Sequence, residues 1–124
     1  MSKLHKIAII EDEPSINEMY RMKLALEGFE VVTAFNGEEG LALVKKHKPD
    51  LILLDIKMPV MSGDEMLEKL RSTDWGAKMR VVILTNISRD EAPHNLRLLH
   101  VDRYIVKAHY TPSQIVTLVR EIIG

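Results

Sequence analysis

The sequence predicts an α/β fold, a five-stranded parallel sheet with helices on both faces. Three observations predict it. Five short apolar runs, at 7–10, 29–34, 51–54, 81–84 and 104–106, alternate with amphipathic stretches. Such alternation means parallel strands joined by crossover helices. The run Leu51-Ile52-Leu53-Leu54 is unbroken, as expected of a strand covered on both faces. Finally, residues that start and stop helices fall in the gaps between the runs.

The elements follow in order. After the first strand, Pro14 suits the first turn of a helix and Gly28 its end. After the second, Asn36-Gly37 turns the chain into a helix ending in Lys45, Lys46, His47 and Lys48, cations that a helix C-terminus favours. After the third, Met66, Leu67 and Leu70 give the next helix an inner stripe, with Asp64 and Glu65 in its first turn. After the fourth, Ala92, Leu96 and Leu99 suggest a fourth helix. After the fifth, a Thr111 cap and Pro112 open a last helix with Ile115, Leu118, Val119 and Ile122 on one face. With no linker, repeat or low-complexity stretch, residues 1–124 are expected to form one domain.

The totals narrow the function. Seventeen basic and 18 acidic side chains leave a net charge of −1, which argues against a binder of phosphate backbones. The chain has no cysteine, so thiolate metal sites and thiol nucleophiles are excluded. No apolar run is long enough to span a membrane, and the start lacks the pattern of a signal peptide. The cytoplasm is the default expectation. The five histidines, at 5, 47, 94, 100 and 109, show no ligand spacing and read as surface residues.

In open parallel sheets, ligands bind outside the carboxyl ends of the strands. The residues there are Glu11-Asp12-Glu13 after the first strand, Asp55 after the third, Thr85 after the fourth and Lys107 after the fifth. The second strand is followed only by Ala34 and Phe35. One acid after a strand is most simply a turn former. Polar sites at four strand ends, in order, are not explained that way.

The acidic pair Glu11-Asp12, the run "DIKMPVMSG" with Asp55, Pro59 and Gly63, then Thr85 and Lys107, together resemble the receiver domain of two-component response regulators, the CheY-like family. The resemblance covers the whole chain and implies the strand order 2-1-3-4-5. It implies a phosphorylation-activated switch in which Asp55 accepts a phosphoryl group from a histidine kinase or phosphotransfer protein. Mg²⁺ would be held directly by Asp12 and Asp55, by the main-chain carbonyl of Lys57, and by Glu11 through water. An all-oxygen set suits such a hard cation. Lys107 and Thr85 would take phosphoryl oxygens, and Thr85 and Tyr104 would carry the switch. The chain would be no classical enzyme, although it would assist its own phosphorylation and dephosphorylation. The output surface, for an unknown downstream protein or a homodimer, would be the fourth helix, fifth strand and fifth helix. Contact with nucleic acid or membrane is not expected.

Three departures from the family pattern stand out. Ala108 follows Lys107 where proline, in a cis peptide, is usual; a cis bond before a non-proline costs about 2.5–4 kcal/mol, so a trans bond and a reshaped loop are expected. Asn86 follows Thr85 where small residues are common. Lys57 is placed so that its amine could reach a carboxylate and partly replace the metal. Two other readings compete. A pseudo-receiver interaction module is disfavoured by the complete acid, threonine and lysine set. A phosphatase of the haloacid-dehalogenase type would want a second aspartate where Lys57 stands.

Overall fold

The computed structural model describes residues 4–123. Its strands are β1 (Lys6–Ile10), β2 (Glu30–Ala34), β3 (Leu51–Leu54), β4 (Val81–Thr85) and β5 (Arg103–Val106). Its helices are α1 (Pro14–Leu26), α2 (Gly37–His47), α3 (Gly63–Arg71) and α4 (Pro112–Ile123). All strand pairs are parallel, in the order β2-β1-β3-β4-β5.

Period-two alternation divides the sheet between two cores. Ile7, Ile9, Leu51, Leu53, Val82, Leu84 and Ile105 face Tyr20 and Leu24 of α1 and Ile115, Val116 and Val119 of α4. Ala8, Ile10, Ile52, Leu54, Val81 and Ile83 face Val44 of α2 and Met66, Leu67 and Leu70 of α3. The unbroken apolar run of β3 is therefore covered on both sides. Side chains cap two of the helix starts. The Asn36 Oδ1 accepts the Glu39 N–H at 2.9 Å at the head of α2. At the head of α4, Gln114 N–H donates to Thr111 Oγ1 at 3.2 Å while Thr111 N–H donates to Gln114 Oε1 at 2.8 Å, a reciprocal capping box.

One expected element is corrected. The stretch around Ala92, Leu96 and Leu99 is not an α-helix. It forms two 3₁₀ turns, Arg89–Glu91 and His94–Leu98. Pro93 is the physical reason: the residue before a proline is pushed to extended backbone, and Ala92 has φ −65°, ψ 147°. Leu96 is the buried anchor of this stretch. Arg71, at the end of α3, holds the following chain in place. Its guanidinium donates to the carbonyls of Met79 at 2.7 Å, Leu99 at 2.8 Å and His100 at 2.9 Å. The Lys107–Ala108 peptide is trans, as the missing proline predicts, and Lys107–His109 form a further 3₁₀ turn.

The loop after β3 is tightly specified. A Cβ on Gly63 would sit 1.9 Å from the Asp55 carbonyl oxygen, so only glycine lets α3 begin against the strand end. Before it, Met61 N–H donates to the Pro59 carbonyl at 2.7 Å, closing a three-residue γ-turn around Val60 at φ 67°. A positive φ at a β-branched residue is strained. Its side chain is 75 % exposed and gains little from packing. Val60→Gly is therefore expected to raise the unfolding free energy by about 1 kcal/mol, measured by urea denaturation. A loss of stability would show that this turn carries no strain.

Candidate functional site

The sheet register builds the site. Ile10 pairs with Leu54, so Glu11 and Asp55 leave neighbouring strands at one level. The Asp55 N–H donates to the Ile10 carbonyl at 3.0 Å and the Glu11 N–H to the Ala34 carbonyl at 3.1 Å. Thr85 pairs with Val106, which puts Lys107 one residue beyond the edge. The acidic turn is tied down from α1: the buried Asn17 amide donates to the carbonyls of Glu11 at 3.0 Å and Ala34 at 3.1 Å.

Glu11, Asp12 and Asp55 each offer a carboxylate oxygen, and these lie within 4.8 Å of one another. Three such charges repel. Lys107 answers the two most buried. Its Nζ donates to Asp55 Oδ2 at 2.9 Å and also to Glu11 Oε1. The second oxygen of each takes a backbone N–H: Ile56 to Asp55 Oδ1 at 2.7 Å, and Glu13 to Glu11 Oε2 at 3.0 Å. Only about a tenth of the Lys107 and Asp55 side chains is exposed, so this is a buried, hydrogen-bonded ion cluster. Asp12 is half-buried, and no hydrogen bond or ion pair among the described residues engages its carboxylate.

The titration follows from this crowding. Burial pushes the Glu11 carboxyl above its ordinary value of 4.5, and the charge of Asp55 adds to that; Lys107 and the Glu13 N–H pull the other way without cancelling it. Burial works against the Lys107 ammonium, but its hydrogen bonds to Glu11 and Asp55 outweigh that and hold its pKa above the usual lysine value.

Thr85 and Tyr104 both engage the backbone of Ile87. The buried Thr85 Oγ1 accepts the Ile87 N–H at 3.4 Å, a long contact. The Tyr104 hydroxyl donates to the Ile87 carbonyl at 2.7 Å. The Arg89 guanidinium lies 5.7 Å from the centroid of the Tyr104 ring. Lys57 is exposed, and among the described residues it forms no ion pair; the amine that occupies the carboxylates is that of Lys107. Asn17 escaped the sequence reading. Its signal was there, a polar residue in the stripe with Tyr20 and Leu24, the buried face of α1.

Breaking a buried ion cluster by removing its cation is costly. Lys107→Met is expected to lose about 3–5 kcal/mol near neutral pH in chelator, by urea denaturation. A loss within the range of an exposed ion pair, below about 1 kcal/mol, would contradict the cluster. Glu11 gives a second test. Just above its ordinary 4.5, the native state keeps a proton that the unfolded chain has released. Its contribution to stability therefore falls as pH rises through that window. The stability of the wild type relative to Glu11→Gln should fall there, and a constant difference would argue against the raised pKa.

Comparison with known proteins agrees with this geometry. A family model described as the response regulator receiver domain matches residues 7–120. The phosphate regulon transcriptional regulatory protein PhoB of Rhizobium meliloti is 36 % identical over 112 residues, which cover 89 % of this chain and 48 % of that protein. The probable transcriptional regulator ycf27 of Porphyridium aerugineum is 30 % identical over 118 residues, covering 95 % and 48 %. The chain thus spans about half the length of these relatives. Among solved structures, the chemotaxis protein CheY4 of Vibrio cholerae superposes with a TM-score of 0.87 at 27 % identity, covering 96 % of this chain and 98 % of that one. A CheY-like receiver domain protein of Methanospirillum hungatei gives 0.86 at 30 % identity, covering 98 % and 94 %. By the family model, the CheY-like fold and these relatives together, the chain belongs to the response regulator receiver domains of two-component systems.

Proposed function

We propose that residues 1–124 act as one signalling switch, loaded by phosphoryl transfer from a histidine kinase or phosphotransfer protein to Asp55. The observation that carries this reading is the Lys107 ammonium lying on Asp55 and Glu11 with Asp12 beside them. An Asp55 carboxylate oxygen attacks phosphorus, an O–P bond forms, and the N–P bond of the donor's phosphohistidine breaks. The electron pair of that bond leaves on the imidazole, which takes up a proton. The strand end holds the nucleophile still, and its Oδ1 stays fixed by the Ile56 N–H. Lys107 exchanges its contact with Asp55 for one with a phosphoryl oxygen, and Thr85 offers its hydroxyl to another. In phosphoryl transfer, positioning and charge neutralisation are most of the protein's work.

Oxygen donors only, three carboxylates in one cluster and an unengaged Asp12 fit a hard divalent cation such as Mg²⁺. Asp12, Asp55 and the Lys57 main-chain carbonyl would hold it directly, and Glu11 through water. Bound there, Mg²⁺ would neutralise charge on the phosphoryl oxygens. Moving Thr85 would shift the backbone of Ile87, whose carbonyl Tyr104 holds, so the two residues would relay loading outward. The relayed surface is β5, α4 and the two 3₁₀ turns, where a downstream protein or a second copy would dock. Such a switch needs two conformations that the phosphoryl group biases. A cytoplasmic location goes with this reading.

Incubation with Mg²⁺ and a small-molecule phosphodonor, followed by intact-mass measurement, tests it. The expected result is a gain of one phosphoryl group, absent in Asp55→Asn and in chelator. No adduct on the wild type would leave only an interaction module, and continuous turnover of phosphoesters would indicate a phosphatase.

A further inference from the structure

Packing alone does not explain one buried side chain beside the acidic edge. Asn17 is 2 % exposed and lies on the face of α1 that also buries Tyr20 and Leu24. Leucine would fill that position without a polar group to satisfy, whereas a buried amide is unfavourable unless its hydrogen bonds are remade. Here both protons of the amide nitrogen are used. Nδ2 donates to the Glu11 carbonyl at 3.0 Å and to the Ala34 carbonyl at 3.1 Å. The Ala34 carbonyl already has a donor, the Glu11 N–H at 3.1 Å. The Glu11 carbonyl is reached by no backbone N–H among the described residues. The three bonds close a triangle that holds Glu11 by the peptide groups on both its sides.

The triangle bears on the next residue, because the Glu11 carbonyl belongs to the peptide from which Asp12 hangs. The other two acids of the edge are anchored through their own side chains. Glu11 and Asp55 each take the Lys107 ammonium and a backbone N–H. The Asp12 carboxylate has no such contact among the described residues, yet one of its oxygens lies within 4.8 Å of oxygens of both other acids. Its place is therefore set by the main chain. The sheet does not hold that stretch directly, since β1 ends at Ile10. Asn17 does.

We propose that Asn17 is a positioning residue for the cation: by clamping the Glu11–Asp12 peptide it keeps Asp12 beside the other two acids and so sets the affinity of this edge for Mg²⁺. The inference rests on the reading above that the edge takes a divalent cation. Mg²⁺ demands near-ideal geometry from its oxygens, so a small swing of one ligand costs affinity. Groups that orient a metal ligand without touching the metal commonly carry about 10–100-fold in affinity.

The test titrates Mg²⁺ into the full chain after treatment with chelator, following amide chemical shifts around Asp12 and Asp55. Asn17→Leu should bind Mg²⁺ about 10–100-fold more weakly than wild type. The Mg²⁺ concentration for half-maximal phosphorylation of Asp55 should rise in step, with a smaller change in the rate at saturating Mg²⁺. Asn17→Thr, which keeps one donor, should fall between the two, and its comparison with wild type carries the test if Asn17→Leu does not fold. Leu24→Ala, on the same buried face, should lower the urea midpoint and leave Mg²⁺ affinity unchanged. Wild-type affinity in the Asn17 variants, or an equal loss of affinity in Leu24→Ala, would overturn the role of Asn17 and leave the cation site standing. A wild type whose shifts ignore Mg²⁺ would remove the cation site and this inference with it.

Discussion

The Lys107 ammonium, shared between Asp55 and Glu11, is the interaction on which the rest of the structure turns. A parallel sheet gathers strand ends at one edge, and this edge carries three carboxylates within 4.8 Å. In the low dielectric of a buried site, that much like charge opposes folding unless something offsets it. A single lysine from the far side of β4 does so for the two most buried. The lysine is costly to bury in its turn, and its two hydrogen bonds outweigh that cost. Asp12 remains without a hydrogen bond or ion pair to its carboxylate among the described residues.

The fold exists, in this sense, to set distances. Register between β1 and β3 fixes Glu11 against Asp55, and register between β4 and β5 fixes Thr85 against Lys107. Asn17 locks the acidic turn from below through two carbonyls. Gly63 brings α3 up against the Asp55 backbone. Rigidity on the β1–β3 side contrasts with the β4–β5 side, where helix gives way to 3₁₀ turns and Tyr104 is held through Ile87.

Much of this was legible in the residues. Uninterrupted apolar runs mark strands covered on both faces, and the caps at Asn36 and Thr111 mark helix starts because short-range hydrogen bonds decide them. The site's members were legible as polar residues directly after strands. Pairings between them were less so. Lys107 reaching Glu11 across 96 positions depends on how the sheet stacks its strands, whereas the sequence alone suggests only that Lys57, two residues after Asp55, could reach a carboxylate. The missing fourth helix was a misjudged contest: the apolar spacing of Ala92, Leu96 and Leu99 is helical, but Pro93 acts on the backbone directly and wins. Asn17 was hidden because a polar residue on a buried helix face reveals its purpose only once the facing carbonyls are known.

The central claim is that the acidic edge is charge-crowded and leaves one carboxylate open to a divalent cation. The most direct measurement is the unfolding free energy as a function of Mg²⁺ concentration. A cation that binds the native state alone must raise stability as RT ln(1 + [Mg²⁺]/Kd). The account predicts that rise for the wild type and a flattened response for Asp12→Asn. Stability that ignores Mg²⁺, or that climbs equally in both proteins, would contradict it.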